Sequence, residues 1–256
     1  MRLVVKIGGT LLETLESRLR LAEELAAVAR QNGLVVVHGG GKQMTRFLSE
    51  RNLSSHFVRG LRVTTPEVLD AVLKVVAGTV NKELVAAFLR AGVPAVGLSG
   101  VDACLLECDR LDEELGAVGR PVRVNSRLLE VLSGSGYVPV VACVGADGQG
   151  AIYNVNADQM AAALAGGFRA DRLIMLTDVP GVLGADGVIL SGLTTSEAEQ
   201  LAARGIATGG MQAKLAAASQ ALREGVGAVL IAPGAEPGVV DRLLAGERLG
   251  TRLVAG

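Results

Sequence analysis

Lysine is scarce in this chain: of its 25 basic residues only five are lysines, Lys6, Lys42, Lys74, Lys82 and Lys214. Two of them sit beside paired glycines. Lys6 lies in V-K-I-G-G-T, residues 5 to 10, where an apolar strand runs into Gly8 and Gly9. Glycines let backbone N–H groups approach an anion closely, and a lysine at that point can meet a phosphate. Its other use there is to snorkel from an edge strand ahead of an ordinary turn. Lys214 closes G-G-M-Q-A-K in what reads as the first turn of a helix. The positive end of a helix dipole repels a cation, so either a negative group lies nearby or the lysine sits on a solvent face.

Four further segments carry chemistry of the same kind. V-V-V-H-G-G-G, residues 35 to 41, runs a β-branched strand into Gly39 and Gly40 at a helix start, where free N–H groups suit an anion. Its spacing is neither that of a Walker A loop nor G-x-G-x-x-G. In N-V-N-A-D-Q, residues 154 to 159, Asn156 reads as an N-cap and Gln159 as its capping-box partner. Asp158 then complements the helix dipole, or holds neighbouring lysines charged and oriented. L-T-D-V-P-G-V, residues 176 to 182, is a strand end followed by Asp178, Pro180 and Gly181, a ligand-side loop or a plain turn. R-G-L-R-V-T, residues 59 to 64, puts Arg62 in a candidate hairpin, where a guanidinium can grip a carboxylate through two bonds.

The elements that must position these residues alternate between β-branched runs and longer amphipathic, alanine-rich stretches, the pattern of crossover units around a mostly parallel sheet. Strands are expected at residues 2 to 7, 34 to 38, 94 to 98, 137 to 143, 172 to 176 and 227 to 231. Helices are expected at 15 to 31, 41 to 51, 66 to 77, 79 to 91, 125 to 133, 157 to 166, 195 to 204 and 211 to 223. Residues 99 to 124 and 56 to 65 read as hairpins. The fold class is therefore α/β, a three-layer αβα sandwich. No repeat or long linker is visible, so two lobes, 1 to 170 and 171 to 256, would share one sheet with a hinge near residue 170.

At 256 residues, 50% of them apolar, with a mean hydropathy of +0.42, the chain can bury a large core. A net charge of -1 excludes the broad positive field that nucleic acid or an anionic membrane requires. The N-terminal apolar run breaks at Lys6, too short for a signal or a membrane span, which predicts a cytoplasmic protein. Cys104, Cys108 and Cys143 form no C-x-x-C, and neither His38 nor His56 lies at metal-ligand spacing from them. Reduced structural thiols and no protein metal ligand are expected.

Taken in order, K-I-G-G, V-H-G-G-G, G-L-R-V-T, G-T-V-N-K, L-D-E-E-L-G-A-V-G, G-Y-V-P-V-V, N-V-N-A-D-Q, T-D-V-P-G-V, G-G-M-Q-A-K and the closing G-T-R resemble the acetylglutamate kinases of the amino acid kinase family. The likeness covers almost the whole chain. It implies a central, mainly parallel sheet, acetylglutamate binding and dimerisation in the N-terminal lobe, and ATP in the C-terminal lobe. It also implies that Lys6 and Lys214 bind phosphate, that Asp158 organises them, and that the amides of Gly8, Gly9, Gly39 and Gly40 face the phosphoryl group and substrate. Arg62 and Asn154 would hold the substrate carboxylates. Asp178, Val179, Pro180, Gly181, Val182 and Leu183, with Ile206, Ala207 and Thr208, would form the nucleotide loops.

The implied reaction transfers the γ-phosphoryl group of ATP, brought in with Mg²⁺, to the γ-carboxylate of N-acetyl-L-glutamate, a step of arginine biosynthesis giving N-acetyl-L-glutamyl 5-phosphate. A carboxylate is already a nucleophilic anion, so no general base is required, in keeping with the lack of a convincing histidine near the motifs. The chain starts at its first strand, without the extra N-terminal helix of hexameric, arginine-inhibited relatives. The resemblance therefore implies a homodimer insensitive to arginine. Two rivals remain open: another member of the family, such as a carrier-linked aminoadipate kinase, and a non-catalytic nucleotide- or anion-binding protein on the same fold.

Overall fold

The computed structural model describes residues 1–256. Its strands are β1 (Arg2–Ile7), β2 (Gly33–His38), β3 (Phe57–Val58), β4 (Leu61–Arg62), β5 (Ala95–Ser99), β6 (Leu106–Arg110) and β7 (Val118–Val124). They continue with β8 (Val138–Ala142), β9 (Val144–Ala146), β10 (Ile152–Val155), β11 (Arg172–Thr177), β12 (Gly192–Thr194), β13 (Ala228–Pro233) and β14 (Thr251–Val254). The helices are α1 (Leu15–Ala29), α2 (Gly41–Glu50), α3 (Pro66–Val72), α4 (Asn81–Arg90), α5 (Arg127–Gly134), α6 (Ala157–Gly167), α7 (Thr195–Ala203), α8 (Gly209–Arg223) and α9 (Val239–Leu244).

Eight strands form one sheet in the order β12-β14-β13-β11-β1-β2-β8-β5. All neighbours are parallel except β13 and β14. The central strands are continuous β-branched and leucine runs because both faces are covered. Helices α1, α4 and α9 pack together on one face, and α5, α6 and α8 on the other. A single cluster of 69 buried residues runs through the whole body. The sheet crosses residue 170 without a break, since β1 pairs with β11 on one side and β2 on the other.

That pairing fixes where a ligand can sit. From β1 the chain works outward through β2 towards β5, returns to β8, and crosses through α6 to β11 on the opposite side of β1. Strand order reverses there, and crevices in open α/β sheets form outside the carboxyl ends of strands at such a switch point. Ile7 is in register with His38 on one side and Leu176 on the other, so three strands end together.

The six expected strands are present within a residue or two at either end. The short strands β12 and β14 and the short helix α9 were not expected, being too short to show a period. The helices expected at 66 to 77 and 79 to 91 form one continuous rod, because Leu73–Val80 winds as a π-helix with helical backbone at both junctions. Residues 99 to 124 do form extended structure, as β6 and β7, which close with β9 and β10 into a small barrel. The hairpin of β3 and β4 leans on a separate cluster of only three buried residues, Val63, Leu115 and Val118.

Candidate active site

Lys6 is the penultimate residue of β1, and Asp158 lies in the first turn of α6, whose N-terminus opens at the crevice. The N-cap is as expected: Asn156 Oδ1 accepts from the N–H groups of Asp158 at 3.0 Å and Gln159 at 3.1 Å. The reciprocal half of the capping box is missing, because the Gln159 side chain makes no bond back and its Oε1 is buried without a partner. Lys214 also differs from expectation. The helix begins at Gly209, two residues earlier than its apolar pattern suggests, so Lys214 falls in the second turn, with its side chain directed inward.

These three residues form one buried charge cluster. Lys6 Nζ lies 2.9 Å from Asp158 Oδ1, and Lys214 Nζ donates to Oδ2 at 2.9 Å. All three are nearly enclosed, at 7%, 8% and 7% exposure for Lys6, Asp158 and Lys214. Burial pushes the Asp158 carboxyl upward, but the two lysine charges outweigh it and hold the group below the usual carboxylate range. Burial, then the Lys6 charge, lowers Lys214 against the pull of Asp158. Two ammonium groups against one carboxylate leave a net positive charge in a dry place, which attracts an anion strongly.

The cluster opens onto a cavity of about 220 Å³ that Lys6, Gly9, Gly39, Gly40, Arg62, Asn154 and Asp158 all line. A larger cavity of about 570 Å³ lies against β12 and β14, and none of these residues reaches it. Gly8 is bonded to Leu176 O through its N–H at 3.1 Å. A Cβ there would meet that carbonyl at 3.3 Å, so glycine keeps β1 and β11 close where they diverge. A Cβ on Gly9 would stand 3.0 Å from the Gly41 nitrogen, so the two glycine turns touch.

Arg62 reaches the cavity from β4. Its guanidinium donates to Ser55 Oγ, to Thr45 Oγ1 at 2.8 Å and to Gly41 O at 3.2 Å, and it stacks on Phe57 4.6 Å from the ring centre. Asn154 on β10 donates to Thr64 Oγ1 at 3.0 Å. Thr45, Ser55, Phe57 and Thr64 were not singled out by sequence. Of the four, only Thr64 had a local signal, since it ends the R-V-T run beside Arg62.

The two expected nucleotide segments lie on the other side of β1. Asp178 directly follows β11, and Thr10 Oγ1 donates to its carboxylate at 3.3 Å, tying this loop to the first glycine turn. Thr208 caps α8 without a side-chain bond, which leaves the N–H groups of Gly209 and Gly210 open at the helix start. Val179 and Leu183 are exposed, whereas Val182 and Ala207 are buried. Val182 also has its N–H held by Thr251 Oγ1 and its carbonyl by Leu190 N–H, both at 2.8 Å. It packs the loop and is not placed to touch a ligand.

Two groups near the cavity have burial-shifted protonation. Cys143 lines the cavity with its thiol pushed up to about 11 by burial, and all three cysteines are unbridged. His38 is fully buried, and burial lowers it to about 4, opposed by a bond to Gly39 and helped by the Lys82 charge. Its unfolded counterpart takes up a proton near pH 6.5, so stability is expected to fall by up to about 3 kcal/mol as pH drops from there to about 4. Urea unfolding at pH 7 and 4.5 checks this: His38→Asn should show a smaller acid loss than the parent, and an equal loss would refute it.

Glycine turns that converge at the switch point of an αβα sheet form an arrangement suited to an anionic ligand. The model of the Amino acid kinase family matches residues 1–233, and the chain belongs to that family. It is 58% identical over 255 residues to an acetylglutamate kinase of Solibacter usitatus (strain Ellin6076), covering 99% of each chain. It is 44% identical to an acetylglutamate kinase of Methanopyrus kandleri over 232 residues, 87% of this chain and 91% of the relative. Among solved structures, N-acetylglutamate synthase from Neisseria gonorrhoeae, complexed with coenzyme A and N-acetyl-glutamate, superposes with a TM-score of 0.88 at 27% identity. The match covers 100% of this chain and 59% of the synthase. No helix of the chain is long and apolar enough to cross a membrane.

Proposed function

We infer that the chain transfers the γ-phosphoryl group of MgATP to the γ-carboxylate of N-acetyl-L-glutamate, giving N-acetyl-L-glutamyl 5-phosphate and ADP. The observation that carries this reading is the Lys6–Asp158–Lys214 cluster, with its surplus positive charge, beside a small cavity that Arg62 and Asn154 also line. An attacking carboxylate and a triphosphate repel each other. A desolvated positive cluster and free glycine amides offset that repulsion most where charge spreads over the transferring group. Gly9, Gly39 and Gly40 approach that group through their backbone, whereas Gly8, expected from the sequence to do the same, has its N–H committed to Leu176 O and serves to keep the turn tight; Arg62 and Asn154 hold the substrate carboxylates.

ATP binds on the C-terminal lobe, residues 171 to 256, between the loop Asp178 to Leu183 and the segment Ile206 to Thr208, and Mg²⁺ arrives with it. The open start of α8 suits a phosphate chain. Residues 1 to 170 hold the amino-acid substrate and form a homodimer in the cytoplasm. The outermost strand β5 has no partner on one side, and exposed Leu89, Val101 and Tyr137 lie on the segments that lead into β5, out of it and into β8. An open edge among exposed apolar groups favours a second copy of the chain. Light scattering is expected to give twice the monomer mass, and a monomer at micromolar concentration would overturn this.

Arg62→Lys removes the planar fork but keeps the charge. The loss of charge-assisted bonds is expected to raise the KM for acetylglutamate about 10- to 100-fold and leave the KM for ATP within about threefold. A change confined to the ATP constant would place Arg62 elsewhere. ADP release measured with acetylglutamate, glutamate, aspartate and an aminoadipate derivative tests the substrate itself. Turnover should be highest with acetylglutamate; preference for another acid would reassign the chain within its family.

A further inference from the structure

The glycine turn after β2 has a problem that its sequence alone does not solve. Gly39 and Gly40 have no Cβ to restrict them, so the peptide between them is free to rotate unless something holds it. The Gly40 N–H has no acceptor anywhere in the chain, while Gly40 itself lines the cavity beside Lys6. An unpaired donor at this place is useful only if it points the right way.

The neighbouring side chain supplies the hold. His38 Nδ1 lies 2.9 Å from the Gly39 carbonyl oxygen, and its Nε2 lies 3.0 Å from Asn81 Nδ2. The orientation of the Asn81 amide follows from its other bonds. Its Nδ2 also donates to Val140 O at 2.9 Å, and its Oδ1 accepts from Lys82 Nζ at 3.0 Å. Asn81 therefore presents a donor to Nε2, which must be the bare nitrogen, and the ring proton sits on Nδ1, where it bonds the Gly39 carbonyl. Both residues are sealed from solvent, at 0% and 1% exposure. A trans peptide is planar with its C=O and N–H pointing to opposite sides. Pulling the Gly39 carbonyl towards the imidazole consequently turns the Gly40 N–H the other way.

We propose that His38 and Asn81 are positioning residues: through the Gly39 carbonyl they hold the Gly40 N–H aimed at the transferring phosphoryl group. Neither touches substrate. The inference rests on the reading of this cavity as the phosphoryl-transfer site and adds how one of its donors is aimed. It also accounts for an uncharged histidine beneath the glycines, since a protonated ring would put a second N–H against the Asn81 amide.

Two measurements decide it. The first needs no activity: nitrogen NMR of histidine-labelled protein at pH 7, with His56→Gln to assign the signals, reads which ring nitrogen of His38 carries the proton. The proton is expected on Nδ1, and an Nε2–H ring would overturn the proposal outright. The second compares His38→Leu, which fills the space without a donor, with His38→Asn, whose amide can stand where Nδ1 stood. His38→Leu should lower kcat about 10- to 100-fold, the range for a lost or misaimed donor, with both KM values within about threefold. His38→Asn should recover most of that loss at comparable Tm. A histidine that only packs predicts kcat tracking Tm with no rescue by asparagine, and that pattern would contradict the role. If the parent turns over none of the acids, the function reading fails by itself, and the ring tautomer still tests the geometry.

Discussion

Lys6→Ala and Lys214→Ala are expected to fold as the parent does and to lose about 10²- to 10³-fold in turnover, the range for removing one charge-stabilising donor from a dry site. The two halves of this result have one origin. In the ligand-free protein the cluster holds two ammonium groups and one carboxylate, all nearly buried. Removing either lysine leaves a balanced pair, so the fold gains relief from repulsion while losing some packing. The parent's surplus charge is the part a phosphoryl group would balance, and it is the part that disappears. Thermal unfolding read beside kcat checks both halves, and near-normal turnover in either variant would remove the cluster from the chemistry.

Asp158→Asn should behave in the opposite way. It leaves Lys6 and Lys214 facing each other without a counter-charge, and breaking a buried ion pair from one side typically costs about 3–5 kcal/mol. Urea unfolding at pH 7 should show a loss of that order together with low turnover. Adding Lys214→Ala should return part of the stability, because one of two unpaired charges is gone, and should return no activity; strict additivity would show that the three groups are not coupled. The acid limb has a definite sign. The Asp158 carboxyl is held below its unfolded value, so its stabilisation is complete above about pH 4 and is lost as pH falls through the lower folded value.

How much of this was legible beforehand follows from range. Strands such as β1 and β2 are short β-branched runs ending in glycine, and their existence, edges and ligand-facing ends could be read locally. So could the Asn156 cap. The start of α8 could not, because Gly209 and Gly210 have weak helix propensity and the amphipathic pattern begins only at Met211. Gly78 falls between the helices expected at 66 to 77 and 79 to 91 and instead lies inside a π-helix, where Val76 packs towards Gly40. The barrel depends on β10 pairing in parallel with β7 across an intervening helix, which no window of sequence reveals.

The site divides in the same way. Lys6, Asp158 and Lys214 were identified by type, glycine neighbours and family resemblance, but that they form one ion cluster is a tertiary fact joining β1, α6 and α8. The partners of Arg62 and Asn154 come from three segments. His38 lies at no metal-ligand spacing and the reaction needs no base, so neither chemistry gives it a role. Its bond to Asn81, 43 residues away, is what gives it a reason to be there. The clue in the sequence was its place directly before Gly39.

The most direct test of the central claim is to incubate the purified protein with MgATP and N-acetyl-L-glutamate and trap any acyl phosphate with hydroxylamine. A hydroxamate that forms with acetylglutamate, requires ATP and forms about 10²- to 10³-fold more slowly in Lys6→Ala is the result predicted here. No hydroxamate from the folded parent, with acetylglutamate or any other acid in the panel, would contradict the assignment and leave a protein that binds nucleotide or anion without transferring phosphate.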